Sequence, residues 1–244
     1  IDLAIESGAH CAKFQMRQLK SLYRAKSLEK KSDDLSTEYT LDLLSKFELS
    51  IDQQKQLSKY CESKGIMYMC TPWDHDSVDI LESFNVIAYK VASADLTNIP
   101  LIEKLIKTKK PLILSTGMAL EEDIKFTKNI LDEHSASYVF LHCNSTYPAP
   151  FKSINLNYIS ELKKIHQFVG YSGHERGINV TLGAVALGAQ IVERHFTLDR
   201  NMEGPDHAAS LEPSEFKRMT IGISEIILAS GDGVKKISQG EMMN

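Results

Sequence analysis

Two lysines and two histidines stand where a cavity could use them. Lys13 lies in Ala12-Lys13-Phe14 and Lys90 in Tyr89-Lys90-Val91, each inside a short apolar run of strand-like residues. A buried ammonium without a counter-charge is costly, so two lysines aimed into one cavity call for an anion with several charges. Thr71, Ser93, Ser115 and Ser172 fall at matching places in neighbouring runs and can add hydroxyl donors. Two cations with several neutral donors suit a phosphate that has a carboxylate nearby. A strand-end lysine can also snorkel outward or form a Schiff base with a carbonyl substrate.

His174 and His195 close the last two runs. Imidazoles from adjacent strands can share a divalent ion while leaving positions open for water or substrate; a lone strand histidine more often only makes a hydrogen bond. Glu203-Gly204-Pro205-Asp206-His207 follows, and its Gly-Pro sets a turn. That turn either projects Asp206 toward the same cavity or uses it as a cap. The other polar residues at run ends are Gln15, Asp74, Asp95, Thr116, Asn144, Ser145, Tyr147 and Glu193. His134 and His166 sit at helix ends, where solvent is the expected neighbour.

A regular alternation must position these groups. The strand candidates are Cys11–Gln15, Met67–Thr71, Ala88–Ala92, Pro111–Thr116, Tyr138–Asn144, Phe168–Ser172 and Ile191–Phe196. Most are continuous apolar runs, as parallel strands covered on both faces require. Helix patterns lie between them at Asp52–Lys64, Asp76–Phe84, Ile99–Thr108, Leu120–Glu133, Asn155–His166 and Ile178–Leu187, with Pro213–Ile227 last. The first of these ends at Gly65, suited to a left-handed cap. The interval Met16–Leu49 is long, polar and rich in Lys and Asp, with Tyr23, Tyr39 and Leu41–Leu44 as candidate anchors. Functional loops often have this length.

Such alternation gives an α/β fold. Seven strands with a helix ahead of the first predict a TIM (β/α)8 barrel, a single domain over residues 1–244 holding seven of the eight strands. An open doubly wound sheet would place a glycine-rich phosphate turn after its first strand, and Met16-Arg17-Gln18 is no such turn. Strand C-termini carry the active site of a barrel, and the polar residues above fall there.

Bulk properties narrow the partners. With 244 residues, 43% hydrophobic and 25% charged, the chain can build a core without a disulfide or structural metal. Net charge is −4, and the lysines at 104–110 and 163–164 are mixed with apolar residues, which suits helix faces and not a nucleic-acid surface. No apolar run approaches the roughly 18 residues that cross a bilayer. Cys11, Cys61, Cys70 and Cys143 form no C-x-x-C pair. Cys11, Cys70 and Cys143 lie in apolar runs, where cysteine acts as a small hydrophobe, so a reducing, cytoplasmic compartment is expected. Ile1-Asp2-Leu3-Ala4-Ile5 reads as a helix already under way, as if the chain began inside a longer protein.

Six stretches carry a resemblance. They are Ala12-Lys13-Phe14-Gln15; Tyr89-Lys90-Val91-Ala92-Ser93-Ala94-Asp95; Leu114-Ser115-Thr116-Gly117-Met118; His142-Cys143-Asn144-Ser145-Thr146-Tyr147-Pro148; Gly170-Tyr171-Ser172-Gly173-His174; and Glu193-Arg194-His195-Phe196-Thr197 with Gly204-Pro205-Asp206. In this order and at these distances the chain resembles the sialic acid synthases from Ile1 to about Gly240. The resemblance implies a barrel, followed in the family by an antifreeze-like domain, that condenses phosphoenolpyruvate with N-acetylmannosamine or a relative, for polysaccharide biosynthesis. It implies that Lys13, Gln15, Thr71, Lys90, Ser93, Ser115 and Ser172 hold phosphoenolpyruvate. His174 and His195 would bind Mn2+, with Mg2+ or Co2+ as alternatives. Tyr147, Asp95 and Asp206 would lie near the sugar, with Ser145 also binding substrate. Lys13, Lys90, Tyr147 and Asp206 are the expected catalytic groups, and the full-length protein is expected to be a homodimer. The family's first strand, with a glutamate and an asparagine–histidine motif, has no counterpart here, and Ala92-Ser93-Ala94-Asp95 replaces a Gly-Ser-Gly-Glu or Gly-Ser-Gly-Asp motif. Other readings of the same residues are a Schiff-base aldolase, a metal-dependent hydrolase, or a fragment that binds ligand without turnover.

Overall fold

Seven strands pair in chain order into one parallel sheet: β1 Cys11–Met16, β2 Met67–Pro72, β3 Tyr89–Val91, β4 Leu112–Ser115, β5 Tyr138–Cys143, β6 Val169–Gly173 and β7 Ile191–Arg194. This computed structural model describes residues 1–18, 45–84 and 86–243; Tyr23, Tyr39 and Leu41–Leu44 lie outside them. The register sets functional residues in rows. Gln15 is level with Thr71, and Cys143 with Ser172, which is level in turn with Glu193.

Helices connect the strands: α1 Asp2–Glu6 ahead of β1, α2 Ile51–Lys64, α3 His75–Glu82, α4 Ile99–Lys107, α5 Glu121–Glu133, α6 Tyr158–Ile165, α7 Asn179–Ala186 and α8 Pro213–Ser230. Their ends follow from local chemistry. Ser50 Oγ accepts from Gln53 N while Gln53 Oε1 accepts from Ser50 N, a reciprocal cap on α2. Gly65 closes that helix at φ 72°, a conformation that glycine adopts without strain. Asp74 caps α3 through Ser77 N, and Asn98 caps α4 through Leu101 N.

The apolar sides of α4, α5 and α6 seat on the sheet. Leu101, Ile102 and Leu105 of α4, Ile124 and Leu131 of α5, and Ile159 and Leu162 of α6 are buried with Tyr89, Val91, Leu112, Leu114 and Phe140. Strand alternation then turns Lys90, between Tyr89 and Val91, to the opposite face. On that face the Lys13 ammonium of β1 lies 3.2 Å from the Glu193 carboxylate of β7. Contact between the first and last strands requires the sheet to curl strongly around its own inner face.

The expected alternation is present, with three corrections. The β7 pattern to Phe196 stops at Arg194, because Phe196 leaves the sheet to bridge Leu211. The helix expected from Asn155 starts at Tyr158, since Asn155 adopts φ 51° and cannot lie within a right-handed helix. His166 is not a solvent-facing residue: its ring stacks on Tyr138 at 4.1 Å and lies 3.0 Å from the Tyr138 carbonyl oxygen. Among the described residues no helix is long and apolar enough to cross a membrane.

Leu114 is fully buried on β4. Leu114→Ala removes packed methyl groups and is expected to destabilise the chain by about 2–5 kcal/mol, as read from denaturant unfolding.

Candidate active site

The strand C-termini surround a cavity of ≈ 690 Å³. Lys13, Gln15, Thr71, Lys90, Ser93, Ser115, Ser145, Tyr147, Ser172, His174, His195 and Asp206 all line it. Asp95 does not. It ends a 3-10 turn, Ser93–Asp95, that gives Ala94 to the cavity. The Asp95 carboxylate turns back to accept from Asn98 Nδ2 at 3.0 Å, and its Oδ2 is buried without a hydrogen-bond partner. Burial raises its pKa against the Asn98 bond.

Charge organises one wall. Lys90 is buried on β3 and donates to Ser115 Oγ at 2.7 Å and to its neighbour's carbonyl, Val91 O, at 2.8 Å. Its ammonium is 3.6 Å from Glu193 Oε2, while Lys13 is 3.2 Å from Glu193 Oε1 and 3.4 Å from Thr71 Oγ1. The lysines therefore do not wait for a ligand uncompensated: one carboxylate serves both, leaving the trio a net charge of +1. Burial pushes the Lys90 pKa down, and Glu193 opposes that. Burial alone would raise the Glu193 pKa, but the two lysines and His195 outweigh it and hold the carboxyl at about 2. Sequence reading placed Glu193 among the strand-end polar residues and gave it no role. Its signal was spacing, because it stands two residues before His195 and alternate residues of an extended chain share a face.

Neutral donors fill the floor. Ser93 Oγ accepts from Gly117 N at 3.1 Å and donates to Cys143 Sγ at 3.5 Å. A Cβ on Gly117 would come within 2.8 Å of that Ser93 oxygen, so the position needs glycine for close approach. Cys143, expected as an apolar filler, lines the cavity, with Sγ 3.8 Å from His174 Nδ1. Gln15 Oε1 accepts from Trp73 Nε1 at 3.0 Å and from Arg17 Nη2 at 2.5 Å, and the Arg17 guanidinium lies over the Trp73 ring. Trp73 and Arg17 also line the cavity. Sequence reading missed both, though each closely follows a strand end.

The imidazoles line the same cavity. His174 and His195 have ring centroids 5.3 Å apart, and the Tyr147 ring lies 4.1 Å and 5.7 Å from them. His174 Nδ1 is 2.7 Å from the Asn144 carbonyl oxygen, so that nitrogen carries a proton; burial alone would lower the ring's pKa, but Cys143 and the Asn144 carbonyl outweigh it and raise it. His195 Nδ1 is 3.7 Å from Asp206 Oδ2. Burial lowers the His195 pKa to about 4 despite Asp206, so the ring is neutral near pH 7, the form that can act as a ligand. Among the described residues no set of three or more His, Cys, Asp or Glu is arranged to hold a metal ion. Two imidazoles with a carboxylate nearby still fit a divalent ion, which would displace a proton from the ring nitrogen it takes and draw its other ligands from water or substrate.

Glu193→Gln would leave Lys13 and Lys90 without their carboxylate. The variant is expected to melt at a lower temperature and to bind inorganic phosphate about tenfold more tightly, since a like charge beside the anion is gone. Calorimetry and thermal unfolding test both.

The NeuB family matches residues 1–235. The N,N'-diacetyllegionaminic acid synthase of Campylobacter jejuni is 41% identical over 252 residues, an alignment that covers 100% of this chain and 75% of that protein. The N-acetylneuraminate-9-phosphate synthase of Homo sapiens is 36% identical, with 99% of this chain and 68% of that protein covered. The crystal structure of the N-acetylneuraminic acid (sialic acid) synthetase of Leptospira borgpetersenii superposes with a TM-score of 0.87 at 30% identity, over 99% of this chain and 81% of that one. With likeness of this degree along nearly its whole length, the chain belongs to the NeuB family.

Proposed function

We propose that this chain condenses phosphoenolpyruvate with an N-acyl mannosamine-type aldehyde to give a nonulosonic acid and phosphate. One observation carries the reading: a lysine–carboxylate set (Lys13 and Lys90 on Glu193) and a pair of imidazoles (His174 and His195) line one cavity. Family membership and the names of the relatives agree with it. Those names include both a diacetyllegionaminic and a neuraminic acid 9-phosphate product, so the shared aldehyde chemistry is proposed and not one sugar. The curled sheet fits a (β/α)8 barrel with seven strands in this chain, and four free cysteines suit a reducing cytoplasm.

In this reading the excess positive charge of Lys13 and Lys90 holds the phosphate and carboxylate, with Thr71, Ser115 and Ser172 as hydroxyl partners and Ser93 and Gln15 at the margins. Fixing phosphoenolpyruvate there turns a two-body reaction into a local one. Tyr147 and Ser145 flank the sugar beside the imidazoles. A divalent ion held by His174 and His195, Mn2+ or a similar one, would supply Lewis acidity toward the aldehyde oxygen. Enolpyruvate C3 attacks the aldehyde carbon, whose oxygen becomes a hydroxyl, and positive charge develops at C2. Glu193 stays ionised and stabilises that charge. Water then adds at C2: one of its protons passes by way of Asp206 to the new hydroxyl, and the other leaves the C2 hydroxyl as the ketone forms and departs with the phosphate.

A second reading has one observation in its favour. Burial lowers the Lys90 pKa, as an amine that forms a Schiff base requires. Borohydride trapping of a carbonyl substrate on Lys90 distinguishes an aldolase from the synthase.

The synthase is expected to release phosphate from phosphoenolpyruvate with at least one sugar in a panel of N-acyl mannosamines. Chelation should stop the release and Mn2+ should restore it. Lys90→Ala is expected to weaken phosphoenolpyruvate binding by about a hundredfold, and unchanged affinity by calorimetry would refute its role. His195→Ala should lower the Mn2+ retained per chain in elemental analysis.

A further inference from the structure

Each candidate metal ligand has a buried, charged neighbour in sequence that points away from the cavity. Glu175 follows His174, and Arg194 precedes His195. Their side chains meet behind the sheet, with Arg194 Nη1 2.8 Å from Glu175 Oε1 and both side chains fully buried. The same guanidinium donates to three further groups: Nη1 to Thr181 Oγ1 at 2.7 Å and Gly177 O at 2.9 Å, and Nη2 to Glu175 O at 2.5 Å. The second carboxylate oxygen of Glu175 accepts from Tyr171 Oη at 2.7 Å. Gly173 makes room for this cluster, since a Cβ there would lie 2.7 Å from Glu175 Oε2 and 3.1 Å from Arg194 Cδ.

Stability alone gives little reason for such a pair. Well-packed apolar residues commonly replace a buried ion pair without loss, whereas deleting one partner is strongly destabilising. What an apolar pair cannot do is fix two separate pieces of backbone. Arg194 stands at the end of β7 and grips the carbonyls of residues 175 and 177, just past β6. The chain leaving β6 is thereby tied to the chain leaving β7, one residue from each imidazole. Nothing in this cluster lines the cavity.

We propose that the Glu175–Arg194 pair is a positioning device: it sets the spacing of His174 and His195 and thereby the affinity of the site for a divalent ion. The proposal rests on the reading of those two histidines as metal ligands.

The test is a titration of metal-free protein with Mn2+ by calorimetry, beside a titration with phosphoenolpyruvate in the absence of metal. Arg194→Lys keeps the charge and loses the fork that reaches both carbonyls. It is expected to bind Mn2+ about ten- to hundredfold more weakly, with phosphoenolpyruvate affinity within about twofold of the parent. The double variant Glu175→Leu, Arg194→Met buries no unpaired charge, so it carries the same test should Arg194→Lys fail to fold, and the same loss is expected. A folded double variant that binds Mn2+ as the parent does overturns the proposal. So does a parallel loss of both affinities, which marks a general structural role. His195→Ala separates the two levels. If it loses Mn2+ while the pair variants keep it, only the positioning role has failed. If neither it nor the pair variants change Mn2+ binding, the metal-ligand reading has failed and the positioning role with it.

Discussion

Glu193 lies 3.2 Å from Lys13 and 3.6 Å from Lys90, and through these contacts the first, third and seventh strands share one electrostatic centre. Either lysine alone inside this sheet would strongly favour losing its proton or turning out to solvent. The shared carboxylate lies beside both amines and opposes the loss of the Lys90 proton that burial favours. One carboxylate faces two basic side chains, and in the proposed function an anionic ligand completes that set. The curl of the sheet, the floor of hydroxyls and the placing of the imidazole wall are all arranged around that centre.

Strand β7 carries two ion pairs of opposite purpose on consecutive residues. Glu193 faces inward and stays partly open to solvent, at 21% exposure, while Arg194 faces outward and is sealed with Glu175. The inner set is short of negative charge, so a ligand can complete it. The outer pair is held by Thr181, Tyr171 and backbone carbonyls, with Arg194 Nε buried and unpartnered, and it is closed off from the cavity. Alternation along a strand separates a reactive face from a rigid one with no intervening residues.

Much of this was legible in the sequence, for a physical reason. Parallel strands buried on both faces must be continuous apolar runs, so a lysine or histidine inside one is conspicuous, as Lys13, Lys90, His174 and His195 were. Gly65 announced its helix end because few other residues adopt φ 72° cheaply. What stayed hidden depends on closure or on local turns. That Glu193 meets Lys13 follows only when the two edges of the sheet face each other. Cys143 reads as a hydrophobe until its strand parity is known. Asp95 followed the right strand, but its 3-10 turn sends the carboxylate back to Asn98. His166 looked like a helix-end residue and proved to be part of a stack on Tyr138.

The strict chain order of the strands bears on how the molecule assembles. Every strand from β2 to β6 pairs with its immediate predecessor and successor, so each layer can form from contacts close in sequence. The Lys13–Glu193 contact departs from this, because it joins opposite ends of that order, as do the bonds of Ser7 to Pro213 and Thr220. During synthesis both lysines emerge well before Glu193, and until it arrives burying either of them is unfavourable. Docking of the seventh strand brings the carboxylate that lowers this cost, so the charge arrangement that lines the cavity also rewards completion of the fold.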